Sequence, residues 1–79
     1  MDVFKQGMLV FSLQGRDKEV VYTILAIEDD YLFLANGKER LLNNPKKKKK
    51  KHVQRMNKII DIKSCNDVQL KRKIKVALK

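Results

Sequence analysis

Residues 7–27 read GMLVFSLQGRDKEVVYTILAI, and this stretch decides the fold class. Two apolar segments, Met8–Leu13 and Val20–Ile27, flank a polar stretch that contains Gly15. Both segments are rich in β-branched and aromatic residues and short for a helix, so they are predicted to be strands. The polar stretch between them is then a turn, and the pair begins an antiparallel sheet.

Further strand and turn signals follow along the chain. Tyr31–Ala35 is a third apolar segment, and Asn36-Gly37 after it is a strong hairpin signal, because a type I′ turn requires positive φ at both central residues. Residues 39–42 are predicted to be the returning strand, which ends before Pro45 because proline cannot donate to a ladder. Four short strands with regular turns predict a mainly β protein, a small antiparallel barrel.

The C-terminal part of the chain begins with six consecutive lysines, Lys46–Lys51. Charge repulsion is expected to keep this run extended and solvated. His52–Met56 alternates polar and apolar residues and predicts a fifth strand. Asn66 is a suitable N-cap for a short final helix, with Asp67 in its first turn. The apolar residues of that helix share one face: Leu70, Ile74 and Leu78.

The charge of the chain is strongly positive and unevenly distributed. Its 79 residues suffice for one small domain and carry a net charge of +10. Residues 1–45 have a net charge of −2, whereas residues 46–79 have a net charge of +12. This asymmetry predicts a barrel over residues 1–57, including the basic segment 46–52, and a basic, partly helical extension over residues 58–79.

Several classes of function are disfavoured by the same sequence. The single cysteine, Cys65, cannot form an internal disulfide, which is typical of intracellular, here cytoplasmic, proteins. The chain has neither an apolar run long enough to span a membrane nor a signal-peptide pattern. His52 lies beside no nucleophile or orienting acid, and one cysteine with one histidine cannot complete a four-ligand zinc site. We therefore expect no enzymatic activity, no metal or other cofactor, and no small-molecule substrate.

Gly7–Ser12, Gly15–Lys18 and the apolar strand that follows resemble the KOW motif. That motif is a strand-loop-strand unit of an SH3-like β-barrel, found in large-subunit ribosomal proteins and NusG-type transcription factors. The likeness to small bacterial KOW-domain RNA-binding proteins covers about residues 7–57. Its later parts are Asp30-Tyr31, Asn36-Gly37, Pro45 with the lysines, and His52. The resemblance implies a KOW-type barrel that binds RNA, with ribosomal RNA or the ribosome as the target.

One position departs from the pattern of the family. The residue after Gly15–Lys18 is usually glycine, and here it is Glu19. Glycine would permit positive φ or a close approach of a phosphate, whereas glutamate adds a negative charge beside Arg16 and Lys18. By the resemblance this loop contacts RNA. The alternative is an ordinary turn in which these two cations pair with neighbouring acids.

The composition of the basic segment favours recognition of RNA backbone and shape. Lysines neutralise phosphates and release counterions without reading the sequence. Phe11, Tyr22 and Phe33 lie within strands and are expected in the core, while Tyr31 is expected to be partly exposed, so no interleaved stacking surface is predicted. The candidate RNA-binding residues are Arg16, Lys18, Lys38, Arg40, Lys46, Lys47, Lys48, Lys49, Lys50, Lys51, His52 and Arg55.

Other roles for the lysine run remain open at the level of sequence. A solvated tail or a localisation signal would have the same composition. A second hypothesis is a protein-interaction module that grips an acidic partner of the transcription or translation machinery, because a polycation attracts acidic surfaces. Membrane binding is not predicted, since it needs a second signal such as a lipid anchor or an amphipathic helix. The expected partner is RNA, bound by a monomer.

Overall fold

The computed structural model describes residues 3–79 and places five strands and one α-helix in them. The elements are β1 (Met8–Ser12), β2 (Val21–Glu28), β3 (Tyr31–Ala35), β4 (Lys46–Lys49), β5 (Val53–Ile59) and α1 (Asp67–Ala77). Neighbouring strands are antiparallel, in the order β4-β3-β2-β1-β5. The expectation of a mainly β domain with a short C-terminal helix is confirmed.

The sheet does not close into a barrel by strand pairing. In residues 3–79, β4 and β5 are the two outer strands and form no ladder with each other. A single 3₁₀ turn, Lys50–His52, joins them. The Lys50 amide donates to the Asp30 carbonyl, and the His52 carbonyl accepts from the Leu13 amide. The turn thus connects the two edges at one corner, and the sheet stays open elsewhere.

Two hydrophobic clusters lie on opposite faces of the sheet. The face that we call the inner face carries Met8, Val10, Tyr22, Ile24, Leu32, Leu34 and Val53. The outer face carries Leu9 and Ala35, which α1 covers with Leu70 and Ile74. The domain boundary expected after residue 57 falls inside β5, and the helix beyond it contributes to the second cluster.

The helix begins where the sequence predicted. Asn66 is the N-cap, its side chain accepts a hydrogen bond from the Gln69 amide (2.8 Å), and the Gln69 side chain accepts from the Asn66 amide (3.0 Å). This reciprocal pair is a capping box. Leu70 and Ile74 are buried, but Leu78 is 42% exposed because it follows the last helical residue. The apolar face of α1 is therefore one turn shorter than predicted.

The prediction of a type I′ hairpin at Asn36-Gly37 is wrong. Gly37 has φ of 76°, but Asn36 is not among the residues with positive φ, so the turn is not type I′. Asn36 is buried, and its Oδ1 accepts from the amides of Lys38 (3.0 Å) and Arg40 (3.1 Å). The amides of the loop therefore donate to the Asn36 side chain instead of to a neighbouring strand. Residues 39–42 are consequently not a strand.

The strand that returns beside β3 is instead the first part of the lysine run. Pro45 does not end a strand but directly precedes β4. The Leu42 amide donates to Asp67 Oδ1 (2.8 Å), which fixes the loop to the start of α1. An edge strand tolerates proline before its first residue, and lysines on an edge discourage pairing with other chains.

Glu19 has a left-handed backbone conformation, which favours glycine. Its φ is 72°, and its amide donates to the Ser12 carbonyl (2.7 Å), which closes the loop between β1 and β2. A residue with a Cβ is disfavoured in this left-handed region, typically by about 1–2 kcal/mol. The backbone of this loop therefore has the conformation that glycine favours, and the Cβ of Glu19 makes that conformation strained.

Replacement of Glu19 by glycine is therefore expected to stabilise the protein. Relief of the left-handed strain outweighs the greater chain entropy of glycine, which leaves a gain of about 0.5–1 kcal/mol. Glu19→Ala is the matched control, because it removes the same carboxylate and keeps the Cβ. Urea unfolding of the three proteins measures the difference. A Glu19→Gly protein less stable than Glu19→Ala would show that the backbone here is not strained.

Candidate nucleic-acid interface

The lysines of β4 alternate between the two faces of the sheet. Lys46 and Lys48 are opposite Leu34 and Leu32 of β3, two inner-face residues. Lys47 and Lys49 are opposite Phe33 and Tyr31, so they lie on the outer face. Six identical residues therefore have different environments, and the run is not uniformly solvated as expected.

Two of these lysines end on the carboxylate of Asp17. Lys48 Nζ is 2.8 Å from Asp17 Oδ1, and Lys46 Nζ is 3.3 Å from Asp17 Oδ2. Lys48 is only 8% exposed, and its ammonium also donates to Ser12 Oγ and to the Gln14 carbonyl (2.8 Å). All three protons of the Lys48 ammonium thus have protein acceptors.

The loop between β1 and β2 presents Asp17 to this cluster. Tyr22 Oη donates to Asp17 Oδ2 (3.0 Å), and Ser12 Oγ lies 3.0 Å from Asp17 Oδ1. Burial alone would raise the pKa of Asp17, but hydrogen bonds from Lys48, Tyr22, Ser12 and Lys46 outweigh it and hold that pKa well below its ordinary value. Burial and the bond to Asp17 raise the pKa of Tyr22. The carboxylate is therefore a permanent anion at neutral pH.

The Asp17 cluster has a structural consequence for the candidate interface. Lys46 and Lys48 were predicted to contact RNA, but their ammonium groups neutralise Asp17. The same contact holds the loop that carries Arg16 and Lys18 against β4. Both of these loop cations are exposed. Asp17 therefore joins two parts of the predicted site that are far apart in sequence.

The outer-face lysines lie beside two aromatic rings. Lys47 Nζ is 4.5 Å from the centroid of the Tyr31 ring and 5.9 Å from that of Phe33. Both rings are half-buried and belong to neither hydrophobic cluster. An ammonium above an aromatic face is attracted by the ring quadrupole. We call Tyr31, Phe33 and Lys47 the aromatic platform.

This arrangement corrects the expected location of the aromatic side chains. Tyr22 is buried as predicted, at 1% exposure. Phe11 and Phe33 are half-buried and outside both clusters, because each is on the outer face beyond the area that α1 covers. The interleaving of basic and aromatic residues that the sequence did not reveal is created by pairing between β3 and β4.

A groove adjoins the platform at the corner of the sheet. Its volume is about 410 Å³. Its walls are Asp30, Tyr31, Lys49, Lys50 and Lys51. Lys49 and Lys51 are exposed, so two ammonium groups reach solvent at its rim. Asp30 is the acidic residue of the wall, and the groove is cationic on balance.

The remaining candidate residues are distributed around the molecule. Lys38 is exposed and 3.9 Å from Glu39, while Arg40 is half-buried in the same loop. His52 is half-buried in the 3₁₀ turn, next to the groove-lining lysines in sequence. Arg55 is exposed on β5, the opposite outer strand from β4. The structure thus groups the β4 lysines with the loop of Arg16 and Lys18, but not with Lys38, Arg40 or Arg55.

Sequence reasoning missed the roles of Asp17 and Phe33. Asp17 appeared only as part of a turn, and Phe33 only as a core residue. The signal for both is the register of β4 on β3, since a period of two divides the lysines into a pair that reaches inward and a pair that reaches outward. The sequence hides that register, because its local pattern favours residues 39–42 as the returning strand.

No family model matches the sequence, and no curated protein matches it. No helix within residues 3–79 is long and apolar enough to cross a membrane. In the same residues, no three histidines, cysteines or acids are grouped as they would be around a metal ion.

Proposed function

We propose that this chain is an RNA-binding protein with an SH3-like barrel of the KOW type. It acts without enzymatic activity, as a cytoplasmic monomer, and its target is ribosomal RNA or the ribosome. The observation that carries the proposal is the exposed cationic rim at the corner of the sheet, where Lys49 and Lys51 flank a groove beside Tyr31.

The fold assignment is supported by where the KOW-like residues lie. Gly7–Ser12 and the segment after Glu19 correspond to β1 and β2, so the motif occupies a strand-loop-strand unit. The order β4-β3-β2-β1-β5 places the last strand beside the first, as a curled barrel-like sheet requires. The positive φ of Glu19 gives the loop the backbone that glycine gives it in the family.

The mode of binding follows from the kind of groups that are exposed. Three exposed lysines form the surface: Lys47, Lys49 and Lys51. A lysine ammonium pairs with a phosphate at any orientation, so these side chains suit the phosphates along an RNA backbone. Arg16 and Lys18 add two exposed cations on the loop that Asp17 holds against the inner-face lysines of β4. Such contacts recognise the shape and charge of a folded RNA rather than its base sequence.

A second candidate function is favoured by one feature of the opposite end of the chain. Ile60, Val76 and Ala77 line a shallow groove of about 350 Å³, together with Asp61, Arg72 and Lys73. Val76 is 60% exposed. An apolar strip whose margin is basic on balance suits an acidic, amphipathic protein segment. This would make the chain a protein-interaction module of the transcription or translation machinery.

Purification with and without nuclease separates the two functions. The tagged chain is expected to bring down RNA at low salt, and ribonuclease is expected to release every associated ribosomal component. Sequencing of the crosslinked RNA then names the target. Retention of a single acidic protein after complete digestion of RNA would favour the second function. Absence of RNA from the low-salt sample would contradict the first.

A further inference from the structure

We propose that the aromatic platform is a stacking site for an unpaired nucleobase, so that the preferred ligand is a folded RNA with a single-stranded loop or bulge next to a helix. This inference rests on the proposed RNA-binding function and adds the class of RNA. It differs from backbone-only recognition, which makes no distinction between a paired and an unpaired nucleotide.

The two rings are positioned for this role by the strands. Tyr31 and Phe33 are two residues apart on β3, so their side chains project from the same face of the sheet. The hydrophobic cluster that α1 forms on that face includes Leu9 and Ala35 but neither of the two rings. The rings are thus partly exposed side by side on β3, and exposed aromatic rings are the surfaces on which unpaired bases stack.

The pairing of Phe33 with Lys47 supplies the cation for the same nucleotide. Lys47 is exposed and has its ammonium 4.5 Å from the Tyr31 centroid. A base that stacks on the ring displaces this ammonium, which then reaches the phosphate of the stacked nucleotide. Without RNA, the Lys47 ammonium is attracted by the negative face of the Tyr31 ring; with RNA bound, it is attracted by the phosphate. It therefore has a partner both with and without RNA.

The adjoining groove accommodates the neighbouring backbone. It shares Tyr31 with the platform and has a volume of about 410 Å³, within the usual range for small-ligand sites. Lys49 and Lys51 at its rim are placed to neutralise the phosphates on either side of the stacked base. Asp30 is the one acidic residue of the five that line the groove, and its carboxylate repels a phosphate placed beside it.

The test compares two RNAs of equal length and charge, a stem with an unpaired loop and a continuous duplex. Phe33→Leu and Tyr31→Leu remove the rings and keep apolar volume. Each is expected to weaken binding to the loop RNA by roughly 5- to 150-fold, the usual effect of losing one stacked base, and to leave binding to the duplex unchanged. Phe11→Leu is the matched control, since Phe11 is also half-buried and outside both clusters, and it pairs with the far end of β2.

Tyrosine fluorescence at saturating RNA gives a second measurement, which reports on the Tyr31 ring itself. The chain has no tryptophan and two tyrosines, of which Tyr22 is buried. The loop RNA is expected to quench the emission of the wild-type protein, and the change is expected to disappear in Tyr31→Leu. Thermal melting of each variant shows that it is folded at the temperature of the titration.

The outcomes separate this inference from the function on which it rests. Equal affinity of Phe33→Leu, Tyr31→Leu and wild type for the loop RNA would overturn the stacking site, while salt-sensitive binding of both RNAs would leave the RNA-binding function intact. Failure of both RNAs to bind at low salt would overturn the function itself. Weaker binding of the loop RNA by the two ring variants alone, with Phe11→Leu unaffected, supports the stacking site.

Discussion

Asp17→Ala is expected to destabilise the protein by about 3–5 kcal/mol, a large part of the stability of so small a domain. The substitution leaves the ammonium of Lys48 enclosed at 8% exposure without its counter-ion, and it removes the acceptor for Tyr22 Oη. Urea unfolding followed by circular dichroism measures the loss. Glu28→Ala is the control, because it removes an exposed carboxylate at the end of β2, away from this cluster.

The double variant Asp17→Ala/Lys48→Met decides whether the charge pair is the cause. Methionine keeps an unbranched side chain only one atom shorter and removes the charge, so the enclosed unpaired ammonium no longer exists. Replacement of both partners by apolar groups is often close to neutral. We therefore expect the double variant to be more stable than Asp17→Ala alone. A double variant at least as unstable as Asp17→Ala would show that Lys48 is not paired as described.

The same cluster predicts the acid limb of the stability profile. The folded pKa of Asp17 is lower than its ordinary value of 3.8, so its contribution to stability is complete above about pH 4. That contribution is lost as the pH falls from there toward the folded pKa. Unfolding of wild type between pH 2 and pH 7 should therefore show a loss at the acid end. Asp17→Asn should lose less over the same interval.

Leu34→Ala is expected to destabilise the protein by about 2–5 kcal/mol, through lost transfer energy and the cavity that remains. Leu34 is fully buried between β2 and β4 on the inner face. Phe33→Ala, one position away, should cost clearly less because that ring is half-exposed and outside both clusters. The order of the two midpoints in urea is the measured result. A larger loss for Phe33→Ala would place the strand in the opposite orientation.

The first three strands and the helix start could be predicted because their signals are local. Tyr31–Ala35 was delimited correctly by the acids before it and Asn36 after it. Asn66 carries the capping information in its own side chain and that of Gln69. In these segments the secondary-structure propensity, the apolar pattern and the tertiary structure all agree. Such agreement allows the structure to be predicted from the local sequence.

The location of β4 could not be predicted from local pattern, because lysine is a poor strand former and its repeats carry no periodicity. Two long-range contacts decide it instead. Asp17 attracts Lys46 and Lys48 from the inner side, and Asn36 folds the preceding loop so that residues 39–42 cannot pair. The candidate site was recovered in part for the same reason. The sequence identifies the basic residues. Which lysines pair with Asp17 and which stay exposed depends on the register of β4 on β3.

The central claim, that the exposed lysines of this corner bind RNA phosphates, is tested most directly by the salt dependence of binding. A variant with Lys47, Lys49 and Lys51 changed to Gln is compared with one in which Lys58, Lys71 and Lys75, exposed elsewhere, are changed in the same way, so that both lose equal charge.

Affinity for a structured ribosomal RNA fragment is measured at several salt concentrations. At about 0.7–0.9 per lysine, the first variant is expected to flatten the slope of log affinity against log salt by about 2 to 2.7, which is roughly 20- to 40-fold over a fourfold change in salt, and the second to change it little. Equal slopes for the two variants would contradict the claim.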